Sequence, residues 1–187
     1  MRLFSFRPAL TMSGRSFNGL RGMAGKPLHP PLTDLPIGAY LLAAAFDVIS
    51  VASSGDLSRE MYRAATFALV GGLIGAVLAA TTGVADWWQS TPRRTQAWRT
   101  ANAHGLVMAT ATVLVLIAVI MRLGGAADDP ATSTLFLILT LAVVALTALG
   151  GALGGSLVYD YGFNVETAGD SPVWHESEAD VLPGAKP

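Results

Sequence analysis

The sequence has no cysteine among its 187 residues. A disulfide framework, a thiolate zinc site and a cysteine-ligated iron–sulfur cluster are therefore impossible within this chain. Charged residues are scarce as well, since they make up 13% of the chain, about half the share found in an ordinary soluble domain. The formal net charge of −1 and the lack of a basic, aromatic-rich patch argue against a nucleic-acid partner.

Motifs of the common enzyme classes are missing too. The sequence has no nucleophile elbow, no HExxH motif and no glycine loop placed to bind phosphate before a soluble helix. Gly71, Gly72 and Gly75 resemble part of a glycine-rich fingerprint, but they lie inside an apolar segment that excludes phosphate. We therefore expect no independent catalytic activity.

Long apolar runs are what the sequence has in abundance, because 52% of its residues are hydrophobic. About 20 helical residues are needed to cross a hydrocarbon layer of about 30 Å. The apolar runs that reach this length cover residues 35–54, 64–86, 102–121 and 133–158. They predict an all-α fold, an integral membrane antiparallel four-helix bundle over residues 28–162 with the lipid bilayer as its surroundings.

Arginine and lysine set the expected orientation, since they concentrate in cytoplasmic loops. Five of them precede the first helix and three lie between the second and third, whereas Arg59, Arg63 and Arg122 fall with several acids in the two opposite loops. Both termini are therefore predicted to be cytoplasmic, in a multi-pass protein of the bacterial inner (cytoplasmic) membrane.

The basic segment 1–27 and the acidic segment 163–187 are predicted to be disordered tails. Internal methionines leave the true start codon open.

Small residues recur at helical spacing in two of the predicted helices. Small side chains let membrane helices approach closely, which favours their association in lipid. We interpret these glycines as helix-packing residues: Gly72, Gly75 and Gly83 in the second helix, and Gly151, Gly154 and Gly155 in the fourth.

Polar residues at the predicted cytoplasmic ends of the helices form the candidate site. They are His29, Asp34, Asp86, His104 and Asp160. Ionisable groups at membrane depth are expensive and usually functional. One hypothesis is that His29 and His104 bind haem b or a transition metal, with Asp86 as a further metal ligand or as a partner of an imidazole. The structural alternative pairs Asp86 with His104 across antiparallel helices.

Asp47 falls near the middle of the first predicted helix, and no cation falls in the centre of another. Because desolvation disfavours the charged form, we expect a protonated carboxyl group. Its expected partners are the hydroxyl groups of Thr81, Thr82, Thr110 or Thr112. Such a group acts either as a structural link between helices or as a proton relay.

The order of these features resembles the DUF2231 family of bacterial membrane proteins of unknown function. The resemblance covers roughly residues 28–166 and is most specific in the closing segment GGALGGSLVYDYGFNV. It implies four transmembrane helices and matches the following residues to family positions: His29, Pro30, Asp47, Asp86, His104, Gly151, Gly154, Gly155 and Tyr159. Some relatives carry a Rieske-type iron–sulfur domain after the bundle, which implies a redox context. This chain has no cysteines or length for such a domain, so electron transfer would need a partner protein or a bound haem.

Three functions remain open on the sequence. The first is a redox-associated membrane module that binds haem or a metal at the His/Asp cluster. The second is a non-catalytic accessory or assembly subunit that packs against a larger complex or into a homo-oligomer. The third is a small proton or ion conductor that uses Asp47.

Overall fold

The computed structural model describes residues 3, 16–23, 25–165, 174 and 180. Its helices are α1 (His29–Ala52), α2 (Gly55–Ser90), α3 (Gln96–Leu123) and α4 (Thr134–Gly155), with a 3₁₀ turn at Gly19–Arg21 and a π-helical turn at Ser156–Asp160. The four helices are long and apolar enough to cross a membrane. Since the described residues form no strand, the predicted all-helical membrane bundle is confirmed.

The first helix begins at His29 rather than at residue 35, where its apolar run begins. Pro30 and Pro31 occupy its first turn, where a helix leaves backbone N–H groups without internal partners in any case. Pro36 lies inside α1 and is buried against the bundle. It removes one internal hydrogen bond, and α1 continues past it.

The second and third helices also extend beyond their predicted ends. α2 has 36 residues and is therefore about 54 Å long, well beyond the thickness of the hydrocarbon layer. α3 begins after Thr95, whose side chain accepts a hydrogen bond from the Trp98 amide, and it continues through Arg122. Hydropathy finds only the apolar middle of such helices, because their ends are polar.

Each helix packs against two antiparallel neighbours. α1 contacts α2 and α4, while α3 contacts α4 and α2, so that α1 and α3 face each other across the bundle. Apart from the aromatic Tyr40, the core residues between them are small or branched: Ala43, Ala65, Leu69, Ala76, Val115, Ala118, Val119 and Val143. We name the two ends of the bundle by their polar pairs, the histidine end (His29 and His104) and the ion-pair end (Asp47 and Arg122).

Two glycines of α2 lie at close helix contacts. A Cβ atom at Gly72 would lie 2.6 Å from the ring of Tyr40, and one at Gly75 would lie 2.9 Å from the Cβ of Leu35. Both positions therefore require glycine for the observed approach of α1 and α2. Gly151 differs, since a Cβ there would meet nothing within 4 Å, and at Gly155 it would meet only Tyr159 of the same turn.

Candidate functional site

The imidazole of His29 lies against the second helix. Its Nδ1 is 2.8 Å from the carbonyl oxygen of Ala79. One turn further along α2, Gly83 leaves room for the ring, because a Cβ there would lie 2.7 Å from the Cε1 of His29. Two residues of α2 four positions apart therefore position His29: Ala79 through its carbonyl oxygen and Gly83 through the space that it leaves.

The imidazole of His104 makes the same pair of contacts with the fourth helix. Its Nδ1 is 2.8 Å from the carbonyl oxygen of Gly150. Gly154, again four positions later, faces the ring, and a Cβ there would lie 3.1 Å from the Cε1 of His104. Each half of the bundle is thus a helical hairpin that positions one histidine in the same way.

The two rings meet across the bundle with their centres 6.1 Å apart and their planes at 83°. A carbonyl oxygen only accepts hydrogen bonds, so each Nδ1 must carry the proton. In the neutral form of each ring, Nε2 is then the acceptor nitrogen, and neither Nε2 has a hydrogen-bond partner among the described residues. An Nδ1–H bonded to a carbonyl is the usual arrangement of a histidine that binds a metal through Nε2.

The carboxylates expected at this end do not join the histidines. Asp86 instead accepts a hydrogen bond from Asn164 Nδ2 at 2.9 Å and lies 3.5 Å from Arg21 Nε. The predicted pairing of Asp86 with His104 is therefore wrong. Asp34 and Asp160 are exposed. Within the described part of the chain, no group of three or more His, Asp or Glu side chains is placed to hold a metal ion.

Both terminal segments meet at the buried carboxylate of Asp86. Arg21 belongs to the 3₁₀ turn that precedes α1, and it also donates a hydrogen bond to Ser90. Asn164 follows the π-helical turn. Part of the segment predicted as the N-terminal tail thus packs on α2, while most of the remainder of both predicted tails lies outside the described residues.

The opposite end contains a fully buried ion pair. Arg122 Nη2 donates to Asp47 Oδ2 at 2.6 Å, and both side chains have 0% exposure. Thr132 Oγ1 donates to Asp47 Oδ1 at 2.7 Å, and Thr140 Oγ1 donates to Asp47 Oδ2 at 2.6 Å. The carboxylate therefore bonds to α3, to α4 and to the loop between them.

Aromatic rings enclose the guanidinium group of Arg122. Its Cζ lies 4.9 Å from the ring centre of Tyr62 and 4.6 Å from that of Phe136. Such cation–π contacts are strongest where the cation is desolvated. Next to the pair, Ser50 Oγ accepts a hydrogen bond from the Thr132 amide at 2.9 Å and donates to the Ser58 carbonyl at 2.8 Å. These bonds fix the loop that closes the ion-pair end.

The expectation of a lone, protonated Asp47 is wrong. It followed from ending the third helix at residue 121, which placed Arg122 in a loop. The threonines expected to receive the proton bond to carbonyls of their own helices, as Thr81 does with Val77 and Thr110 with Leu106. The acid on which the conductor hypothesis depends is therefore paired with Arg122.

One signal in the sequence could have found Arg122. Asp47 and Arg122 are 75 positions apart, the same separation as between His29 and His104. Repeating α1 with this offset places residue 122 where the first hairpin has Asp47. The repeat was missed because the two halves share few identical residues.

Fold and site together define a class, a polytopic membrane protein made of two similar helical hairpins with a polar pair at each end. The DUF2231 family, described as predicted membrane protein, matches residues 25–167. The chain therefore belongs to the DUF2231 family. No curated protein and no solved structure matches it.

Proposed function

We propose that this protein is a redox-associated membrane module that binds haem through His29 and His104. One observation carries the proposal: two imidazoles on facing helices, 6.1 Å apart between ring centres, each with Nδ1–H bonded to a carbonyl oxygen. His29 and His104 would hold the haem iron through Nε2, the ring nitrogen that the carbonyl contacts leave available.

The number of available ligands favours haem over a free metal ion. A protein site for a free transition metal usually provides three or four side chains. The described residues offer no such group, and Asp86 is engaged by Arg21 and Asn164. A porphyrin brings four nitrogens of its own, so one or two axial histidines complete the coordination of its iron.

Gly83 and Gly154 hold the two rings against α2 and α4, since a Cβ at these positions would lie 2.7 Å and 3.1 Å from the Cε1 of His29 and His104. No carboxylate contacts either ring among the described residues, which disfavours hard cations such as Mg²⁺ and Ca²⁺. The haem would supply one-electron chemistry, and a separate redox protein would supply the second centre. By the distribution of arginines, the histidine end would face the cytoplasm in a bacterial inner membrane.

The test begins with protein purified in detergent without added cofactor, followed by titration with haem. We expect a Soret band at one haem per chain in the wild type. His29→Ala and His104→Ala should each weaken haem binding to a similar extent, because the two rings have equivalent contacts. His175→Ala is the matched control, since His175 lies outside the family match, and it should bind haem as the wild type does.

Two results would overturn the proposal. One is a folded wild-type protein that neither contains nor takes up haem, or whose haem band is unchanged in both histidine variants. The other is a stoichiometric metal without porphyrin, detected by elemental analysis and lost in the same variants. The second result would assign the histidines to a metal ion instead of haem.

A further inference from the structure

A cavity of about 150 Å³ lies at the ion-pair end, between α2 and α3. It is lined by Tyr62, Arg63, Thr66, Phe67, Arg122, Leu123 and Ala127. Phe67 is 73% exposed and Leu123 is 57% exposed. These two residues belong to helices that span the membrane, so their exposed side chains face lipid and the cavity is reached from the bilayer side.

The lining of the cavity suits an apolar group. The residues that line it include the aromatic rings of Tyr62 and Phe67 and the aliphatic side chain of Leu123. Apolar surfaces of this kind favour small apolar groups as ligands. Within a bilayer, the apolar groups present at high concentration are acyl chains, and a few methylene groups of one chain fill such a volume.

Arg63 adds a positive charge at the same place. Its side chain is exposed and has no ion pair with a described residue, whereas the charge of Arg122 is neutralised by Asp47. Arg63 lies in the third turn of α2, a helix of about 54 Å whose ends extend past the hydrocarbon layer. This places the guanidinium group near the depth of phospholipid headgroups, where an arginine can form charge-assisted hydrogen bonds with a lipid phosphate.

We propose that this cavity binds one anionic phospholipid, with its phosphate on Arg63 and part of one acyl chain between Phe67 and Leu123. The site lies at the end opposite the histidines, so it does not depend on haem binding. Both parts of the lipid are recognised, the head by charge and the tail by the apolar wall. A zwitterionic phospholipid keeps only the second contribution together with a weaker interaction of its phosphate.

Native mass spectrometry of the whole protein tests this site. The protein is exchanged into nanodiscs that contain equal amounts of phosphatidylglycerol and phosphatidylcholine and is then released for analysis. We expect one retained phosphatidylglycerol per chain, favoured about fivefold over phosphatidylcholine. Arg63→Gln should abolish this preference. Arg59→Gln is the matched control, because Arg59 is exposed on the same helix but does not line the cavity.

A second variant tests the apolar part of the site. Ala127→Leu places a larger side chain at the cavity and should lower retention of both lipids, while its unfolding temperature shows that the bundle is intact. Equal retention of the two lipids by the wild type would overturn the proposal. So would equal losses in Arg63→Gln and Arg59→Gln, full retention in Ala127→Leu, or retention of a fatty acid in place of a phospholipid.

Discussion

The two ends of the bundle have a similar geometry but pair chemically different side chains. Both place one residue of α1 opposite one of α3, and both pairs are 75 positions apart. At the ion-pair end, both carboxylate oxygens of Asp47 are bonded and the pair is completely buried. At the histidine end, each ring uses one nitrogen for a backbone carbonyl and keeps the other. The carboxylate of the ion pair is thus satisfied by described residues, although Nε of Arg122 has no hydrogen-bond partner among them, whereas each histidine keeps one ring nitrogen without a partner there.

The two pairs differ in the electrostatic cost of burying them when no ligand is bound. Two identical charges buried face to face would repel each other in a medium that screens poorly, so equivalent positions there need opposite charges. Two neutral imidazoles can face each other without such a penalty. We therefore expect substitutions at the ion-pair end to reduce stability and those at the histidine end to reduce ligand binding.

Separating the ion pair should have the largest effect on stability. Asp47→Leu and Arg122→Met each leave a buried charge without its partner, and each should lower the free energy of unfolding by about 3–5 kcal/mol. The double variant should recover much of this loss, since it removes both charges. Reversible unfolding in mixed detergent micelles measures all three. Single variants within about 1 kcal/mol of the wild type would show that the pair is not structural.

Removing one hydroxyl from the same network should have a smaller effect. Thr140→Val loses a hydrogen bond to a carboxylate and should lower the free energy of unfolding by about 1.5–3 kcal/mol. Thr110→Val is the control, because Thr110 is exposed and bonds only to its own helix. The same unfolding assay compares them. Equal losses in the two variants would mean that the bond between Thr140 and Asp47 contributes little.

Gly83→Ala should reduce both stability and haem binding, because Gly83 lies against the imidazole of His29. The new Cβ would lie 2.7 Å from the imidazole of His29, so we expect a loss of about 1–3 kcal/mol and weaker haem binding. Gly71→Ala, where nothing lies within 4 Å, should be neutral or stabilising by up to about 1 kcal/mol. Unfolding and haem titration are measured on both. An unchanged haem affinity in Gly83→Ala would show that Gly83 does not contribute to the haem site.

The smallest expected change concerns Asp86. Its partner Arg21 is partly exposed, so Asp86→Asn should lower the free energy of unfolding by less than about 1 kcal/mol. The amide also keeps an oxygen that can accept from Asn164. Haem affinity should stay at the wild-type level, as measured by the same titration. A clear loss of affinity would return Asp86 to the ligand site, as the sequence analysis had considered.

The sequence was sufficient for the helical bundle and insufficient for the contacts at its ends. Four apolar runs define four spans because each must satisfy its backbone within lipid. The ends of the helices are harder to predict, because a helix continues through polar residues wherever tertiary contacts cover them. Arg122 shows the consequence, because α3 continues two residues past its predicted end and thereby moves Arg122 from a loop into the core.

Membrane depth was a poor guide to proximity at the histidine end. His29, Asp86 and His104 lie on three helix ends at a similar level, but only the two histidines meet. Depth follows from counting residues, whereas direction depends on the rotation and packing of each helix. The terminal segments that engage Asp86 also could not be placed, since Arg21 and Asn164 carry no periodic signal.

Haem titration of three folded proteins tests the central claim most directly: the wild type, His104→Ala and the double variant Asp47→Leu/Arg122→Met. The account predicts a Soret band of one haem per chain in the wild type and in the double variant. It predicts much weaker haem binding in His104→Ala, whose unfolding temperature should stay close to that of the wild type. A double variant that is folded but binds no haem, together with a His104→Ala that binds it fully, would contradict the assignment of ligand binding to the histidine end.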